Sequence, residues 1–448
     1  MMYFQKTILA FSNILTFSTI ANADNFTLSK EYWKDESFVR SFNGSYRINA
    51  RIEPNVNSAE RTLLVQVQKE MANGQHAAAL MLLKNSPIFK TSAALKYNAA
   101  NVSLELEQTQ QAIGYYMDSI EIFPSFRRAH KNLGVAYMKA EQLKEAKEAL
   151  IRAVELGDMS GPTMGLLGYC HLQNDHEASA LQAYRLAQIS EPTIVDWKAG
   201  IAQCLLATNQ SEEALALVEE VVAARPSESS YQLLLVSVLL DLKKDLQAIS
   251  VLELLHRSEK LELNEMALLA QLHSRSGNSR LARPLFELLI AALDPVLLPQ
   301  YLNAVEIVMH NAEWSYAAEL LEAVPGEIAL TEKLQNRLQR LRALSLVQSG
   351  EQGAERLLEK VLEVDPLDGE ALLLLAKVKL KDDTTAADFY LTRAENIESV
   401  RYRALIEFGK LRASENKFSE ALEKFEKADA IHSNPEQRKY ISALKRML

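Results

Sequence analysis

Within residues 127–156, apolar side chains fall at Leu133, Ala136, Tyr137 and Ala140, then again at Leu143, Ala146, Ala149, Leu150 and Ala153. Spacings of three and four place each set on one stripe of a helix, so this segment predicts two helices that pack face to face. Between the stripes, Glu141-Gln142-Leu143-Lys144 reads as a short polar turn. Asn174-Asp175-His176, Thr208-Asn209-Gln210 and Ser276-Gly277-Asn278 are the equivalent turns farther on, built from residues that favour turn backbones. The pattern then repeats along the chain. Eleven alanines mark the same point of each unit: Ala79, Ala112, Ala146, Ala180, Ala214, Ala248, Ala282, Ala317, Ala354, Ala387 and Ala421. The five gaps from Ala112 to Ala282 are each 34 residues. A fixed period of this size predicts stacked helical pairs, an α-solenoid whose units touch only their neighbours.

Two further details fit helical pairs. Gly134 and Gly168 lie inside helices, where glycine costs roughly 1 kcal/mol against alanine; the expected return is a close approach that a side chain would block. Pro124, Pro192, Pro226 and Pro366 follow second helices and are expected to stop them. The units carry Leu133-Gly134, Tyr137, Ala146, Leu150 and Ala153; Leu167-Gly168, Ala180, Tyr184, Ala187 and Pro192; and Phe408-Gly409, Ala421, Phe425 and Ala428. This pattern resembles the tetratricopeptide repeat, with Leu-Gly and an aromatic on a first helix and Ala and an aromatic on a second. The resemblance covers roughly residues 60–432. Where the family has a Trp early in its first helix, this chain has His130, Met164 and Lys198. The implied fold is all-α: a right-handed α-solenoid of about eleven helix pairs.

The ends of the chain do not follow the repeat. Lys6, an apolar run from Thr7 to Ile20 and the small-x-small site Ala21-Asn22-Ala23 describe a secretory signal peptide over 1–23, cleaved after Ala23. That run is too short for a comfortable membrane span. No cysteine lies near the cleavage site to accept a lipid, so the expected location is the periplasm. Residues 24–58 are aromatic-rich through Phe38, Phe42 and Tyr46 and lack helical period; they form either an extended cap or an arm that binds a partner. Residues 59–293 form the regular solenoid. After Ala282 the gaps become 35, 37 and 33, and Pro295, Pro299 and Val324-Pro325-Gly326 interrupt, so 294–434 reads as less regular repeats with a change of curvature near 293–300. A last helix over 435–448, basic at its end, is expected to cap the array.

The formal charge is −9, and loss of the signal peptide with its single Lys6 makes it −10. Such a chain has no general attraction for nucleic acid or anionic lipid. The only cysteines, Cys170 and Cys204, stand 34 residues apart and so occupy equivalent places in adjacent units. Stacked helices lie about 10 Å apart, beyond the roughly 7 Å reach of a disulfide between Cα atoms, which predicts two free buried thiols. No phosphate-binding loop, paired-cysteine metal motif or nucleophile elbow appears. His171 takes the aromatic place of a first helix and His176 a turn, with His273 in the same aromatic place later; packing rather than metal ligation is expected of them. Neither an enzymatic activity nor a cofactor is expected.

Binding is the expected role. The tetratricopeptide resemblance implies a concave surface lined by first-helix residues, which here include Tyr97, Asn101, Arg128, Lys131, Asn132, Tyr169 and Gln203. Phe126-Arg127-Arg128-Ala129-His130-Lys131-Asn132 is the most basic stretch in an acidic chain, suited to a peptide carboxylate or an acidic segment, or else a solvated basic edge. Asn101 and Asn132 match two places of the family's carboxylate-holding sites, while Tyr97 stands where a Lys is expected. Phe123-Pro124-Ser125-Phe126-Arg127-Arg128-Ala129, Glu155-Leu156-Gly157-Asp158 and Gly165-Leu166-Leu167-Gly168-Tyr169-Cys170 also resemble the periplasmic tetratricopeptide component encoded with TonB-type energy-transduction systems of marine gammaproteobacteria. That resemblance implies a scaffold for TonB-dependent uptake that contacts the transducer or its ExbB/ExbD-type motor subunits. An envelope-assembly scaffold for secretion, pili or polysaccharide export, or a regulator of a peptidoglycan enzyme, would carry the same repeats.

Overall fold

The computed structural model describes residues 51–448 apart from Glu327. The expected signal peptide (1–23) and residues 24–50 of the expected arm lie outside the described residues. All regular structure among the described residues is α-helix. The first helices run as pairs: α1 (Ser58–Ala72) with α2 (His76–Lys84), α3 (Ala93–Glu105) with α4 (Thr109–Ile122), α5 (Arg127–Lys139) with α6 (Leu143–Glu155), and α7 (Gly161–Leu172) with α8 (Glu177–Ser190). Then come α9 (Val195–Ala207) and α10 (Ser211–Ala224), α11 (Ser229–Asp241) and α12 (Asp245–Arg257), and α13 (Leu263–Arg275) and α14 (Ser279–Ala291). The remaining pairs are α15 (Leu298–His310) and α16 (Trp314–Glu322), α17 (Glu332–Ser349) and α18 (Ala354–Val364), α19 (Gly369–Lys379) and α20 (Thr384–Ala394), and α21 (Arg401–Ser414) and α22 (Phe418–Ile431). A single helix, α23 (Pro435–Met447), follows. The expected all-α array of eleven helix pairs is thus present. The described chain divides into two compact units, 51–251 and 252–448.

Every alanine of the ladder sits on a second helix and is buried. One turn later, at i+4, each is followed by a larger buried side chain: Leu83, Tyr116, Leu150, Tyr184, Val218, Leu252, Phe286, Leu321, Leu358, Leu391 and Phe425. A helix face alternating a methyl with a bulky group lets the first helix come close at one level and interdigitate at the next. The helical glycines receive those bulky groups. A Cβ at Gly134 would stand 2.7 Å from Leu150, at Gly168 3.0 Å from Tyr184, and at Gly409 2.8 Å from Phe425. The close approach expected at Gly134 and Gly168 is present.

The turns within pairs are shorter than the polar run at 141–144 implied, since Leu143 and Lys144 already belong to α6. Nine of the eleven have one residue in the left-handed region. Glu107, Glu141, Asp175, Asn209, Lys243, Ala312 and Asn416 have φ of 54–61°, while Gly74 and Gly277 have 73° and 75°. The next residue donates its N–H to a carbonyl five positions back, as in Gln142 to Tyr137 (2.9 Å) and Gln210 to Leu205 (2.8 Å). This six-to-one bond closes the open carbonyls of the first helix and turns the chain into the second. Between pairs, proline sets the stop. The residues before Pro124, Pro192, Pro226 and Pro366 lie outside the helical region, with φ of −136°, −137°, −136° and −125°, because the proline ring disfavours that region for its predecessor.

In unit 51–251 one continuous core cluster runs from Ala93 to Val238. In unit 252–448, Ile441 and Leu444 of α23 pack on Ala421 and Phe425 of α22. Gln437 ties that packing down, donating to Phe425 O (2.9 Å) and accepting from Tyr402 Oη (3.0 Å). No helix among the described residues is long and apolar enough to cross a membrane.

Candidate functional site

The start of α5 carries the basic stretch, and the chain's own residues 51–53 lie against it. Ser125 Oγ donates to Arg51 O (2.8 Å), and the Arg127 N–H, a free donor at the first turn of its helix, donates to Ile52 O (3.1 Å). Arg128 then closes on Glu53: its Nε and Nη2 both donate to Oε2, at 2.9 and 2.7 Å. The two side chains retain only 13% and 7% of their exposure, so this ion pair is largely screened from water. Charge-assisted bonds of this kind are the stronger class of hydrogen bond.

The guanidinium rests on aromatic rings. Its central carbon lies 5.5 Å from the Tyr97 ring and 5.9 Å from the Phe126 ring, which are themselves 4.8 Å apart. Beneath them is a buried polar network joining α3, α4 and α5. Asn132 Nδ2 donates to Tyr97 Oη (3.0 Å) and Asn101 Oδ1 (3.1 Å), and Tyr116 Oη donates to the same Asn101 oxygen. Burial pushes both phenols above their ordinary range; the Arg128 charge opposes this at Tyr97. Both hydroxyls therefore stay protonated, and the network is neutral below its charged lid.

The seven residues expected on the binding face separate into three groups. Tyr97, Asn101 and Asn132 are buried and spend their polar groups on one another, which holds the floor of the site rigid. Arg128 and Lys131 stand one turn apart on α5. Lys131 is also buried, and desolvation pushes its ammonium below the usual range while Asp158 and Glu191 oppose that shift. Tyr169 on α7 and Gln203 on α9 are half-buried and repeat the register of Asn101 at steps of 34 residues. Burial raises the Tyr169 phenol. Sequence reasoning missed Glu53, Ser125 and the Arg127 amide. Glu53 lies 75 residues from Arg128, and the only signal was the non-periodic segment that precedes the first helix.

The remaining candidates behave as packing groups. Cys170 and Cys204 are free and buried, and burial pushes both thiols up to about 12. His171 is half-buried, with its ring 6.1 Å from that of exposed His176. Burial lowers the His171 imidazole, and Lys147 adds to that. His273 is buried with Nε2 3.3 Å from Glu253 Oε1.

Residues 128–156 match the family model of the tetratricopeptide repeat. No curated protein matches the chain. Among solved structures, a tetratricopeptide repeat protein from Parabacteroides merdae is similar over 55% of this chain and 98% of its own, at 13% identity and a TM-score of 0.42. Pseudomonas aeruginosa pilF is similar over 49% and 97%, at 17% identity and a TM-score of 0.40. MamA from Desulfovibrio magneticus is similar over 39% and 99%, at 16% identity and a TM-score of 0.35.

Proposed function

We propose that this chain is a non-catalytic scaffold that binds protein segments on its first-helix face. The observation that carries the reading is the start of α5: the Ser125 hydroxyl, the Arg127 N–H and Arg128 hold the turn at residues 51–53 and its carboxylate over a rigid aromatic and polar floor. Helical-pair repeats of this class serve protein interaction, each repeat packing on its neighbours. The finer reading places the mature chain, beginning at Asp24, in the periplasm as an accessory of a TonB-dependent uptake system, in contact with the transducer or its ExbB/ExbD-type motor subunits. The N-terminal sequence pattern and the resemblance over residues 123–170 support it.

Cross-linking in the periplasm followed by affinity capture tests this. Transducer or motor subunits should be recovered, and mass spectrometry should find Asp24 as the mature N-terminus. Recovery of a wall enzyme or pilus component in their place would overturn the uptake assignment.

A further inference from the structure

We propose that residues 51–53 are a built-in occupant of the Arg128 seat, and that the seat's partner in trans is a protein segment that presents two main-chain carbonyls and an acidic side chain in the same way. The proposal rests on the scaffold reading and specifies both the chemistry of the segment recognised and the contact that must be displaced first.

Three features of the contact support it. Ser125 and the Arg127 amide bind the carbonyls of Arg51 and Ile52, so they grip the main chain of this turn irrespective of its side chains. Arg128 adds the selective element, since a carboxylate at the third position accepts from both Nε and Nη2 in charge-assisted bonds, stronger than those a neutral oxygen would form there. The seat is also assembled independently of its occupant. Arg128 lies over Tyr97 and Phe126, and the floor is held by Asn101, Asn132 and Tyr116, all belonging to the helical pairs. Residues 51–53 lie outside every helix and precede the Asn57 cap of α1. Losing them from the seat would leave the repeat core intact.

A tethered ligand competes at an effective concentration on the order of millimolar for a short link. A free segment of the same chemistry therefore meets a seat that is open only for a small fraction of the time, and its apparent affinity falls by that fraction. Net acidity elsewhere does not prevent recognition, because the local charge at the start of α5 is positive through Arg127, Arg128 and Lys131.

The probe is a fluorescein-labelled peptide of this chain's own residues 49–56, added to the full mature chain. Glu53→Arg places like charge against Arg128 and should vacate the seat; Glu53→Gln, which keeps the side-chain shape, is run in parallel. Fluorescence anisotropy should show the peptide binding Glu53→Arg at least about ten-fold more tightly than wild type, with Glu53→Gln between them. Adding Arg128→Gln to Glu53→Arg should abolish that gain, as should replacing the peptide's glutamate by glutamine. Equal affinity for wild type and both Glu53 variants overturns cis occupancy, as does absence of binding to every variant. Binding indifferent to Arg128→Gln overturns the acidic specificity. Amide exchange at Arg127 gives a second readout, and it should speed up in Glu53→Arg. If capture recovers the same envelope partners equally with wild type and Glu53→Arg, the cis occupant is refuted while the scaffold stands. If neither chain captures a partner yet the peptide results hold, the scaffold reading fails and the seat remains.

Discussion

At the scale of single residues, side-chain volume is set by the neighbouring helix. Gly165 shows the tightest case: a Cβ there would lie 2.1 Å from Trp197, a fully buried ring in the next pair. Gly114, also inside a helix, has no heavy atom within 4 Å of the same position. The same substitution should therefore have opposite signs at the two sites. Gly165→Ala is expected to destabilise by about 1–3 kcal/mol through overpacking, and Gly114→Ala to stabilise by roughly 0.5–1 kcal/mol through helix propensity. Urea midpoints of the two variants check this, and shifts of the same sign would contradict the packing described. Alanine spacing made the close approaches at Gly134 and Gly168 legible. The clash at Gly165 was not, because its partner Trp197 comes from a neighbouring unit and breaks the family's usual Trp position.

At the scale of the element, nine of the eleven pairs have one left-handed residue between their helices. Glycine fills it at Gly74 and Gly277, but seven non-glycine residues adopt it elsewhere. An L side chain pays about 1–2 kcal/mol for that conformation, while glycine gives back roughly 0.5–1 kcal/mol of chain entropy. Ala312→Gly, which loses no polar group, is expected to raise stability by about 0.5–1 kcal/mol, and Gly277→Ala to lower it by about 1 kcal/mol. Thermal melts of both decide the matter; a destabilised Ala312→Gly would show that the turn gains nothing from relief of strain. The turn positions were readable from their polar residues. The left-handed site was not, since Glu, Lys and Ala carry no turn preference that would reveal it.

At the scale of the whole molecule, stability is a sum over pairs and their interfaces rather than one cooperative core. A defect should then loosen its neighbours and fade with distance. Ala387 is fully buried in α20, α19 and α21 flank it in the chain order, and α22 is paired with α21. Ala387→Leu is expected to speed amide exchange over 369–431 and leave 263–310 within the same unit unchanged, as hydrogen exchange by mass spectrometry would show. Uniform acceleration across both segments would mean that the unit unfolds as a single block. The proposed function follows the same logic: in a surface assembled from repeated neighbours, the unit that departs from the pattern is the candidate for specificity, and α5 departs with its basic start.

By itself the sequence determined the helices, their pairing and the period, because these follow from local propensity and from apolar residues recurring every three or four positions. It determined that Cys170 and Cys204 stand in equivalent units, and with that their separation as free thiols. Only the tertiary structure decided what the basic stretch does. Tyr97, Asn101 and Asn132 spend their polar groups on a buried network, and Arg128 meets Glu53, a residue with no periodic relation to it. Long-range pairing of charges depends on where the chain returns in space, and a repeating local pattern contains no record of that for a segment outside the repeats.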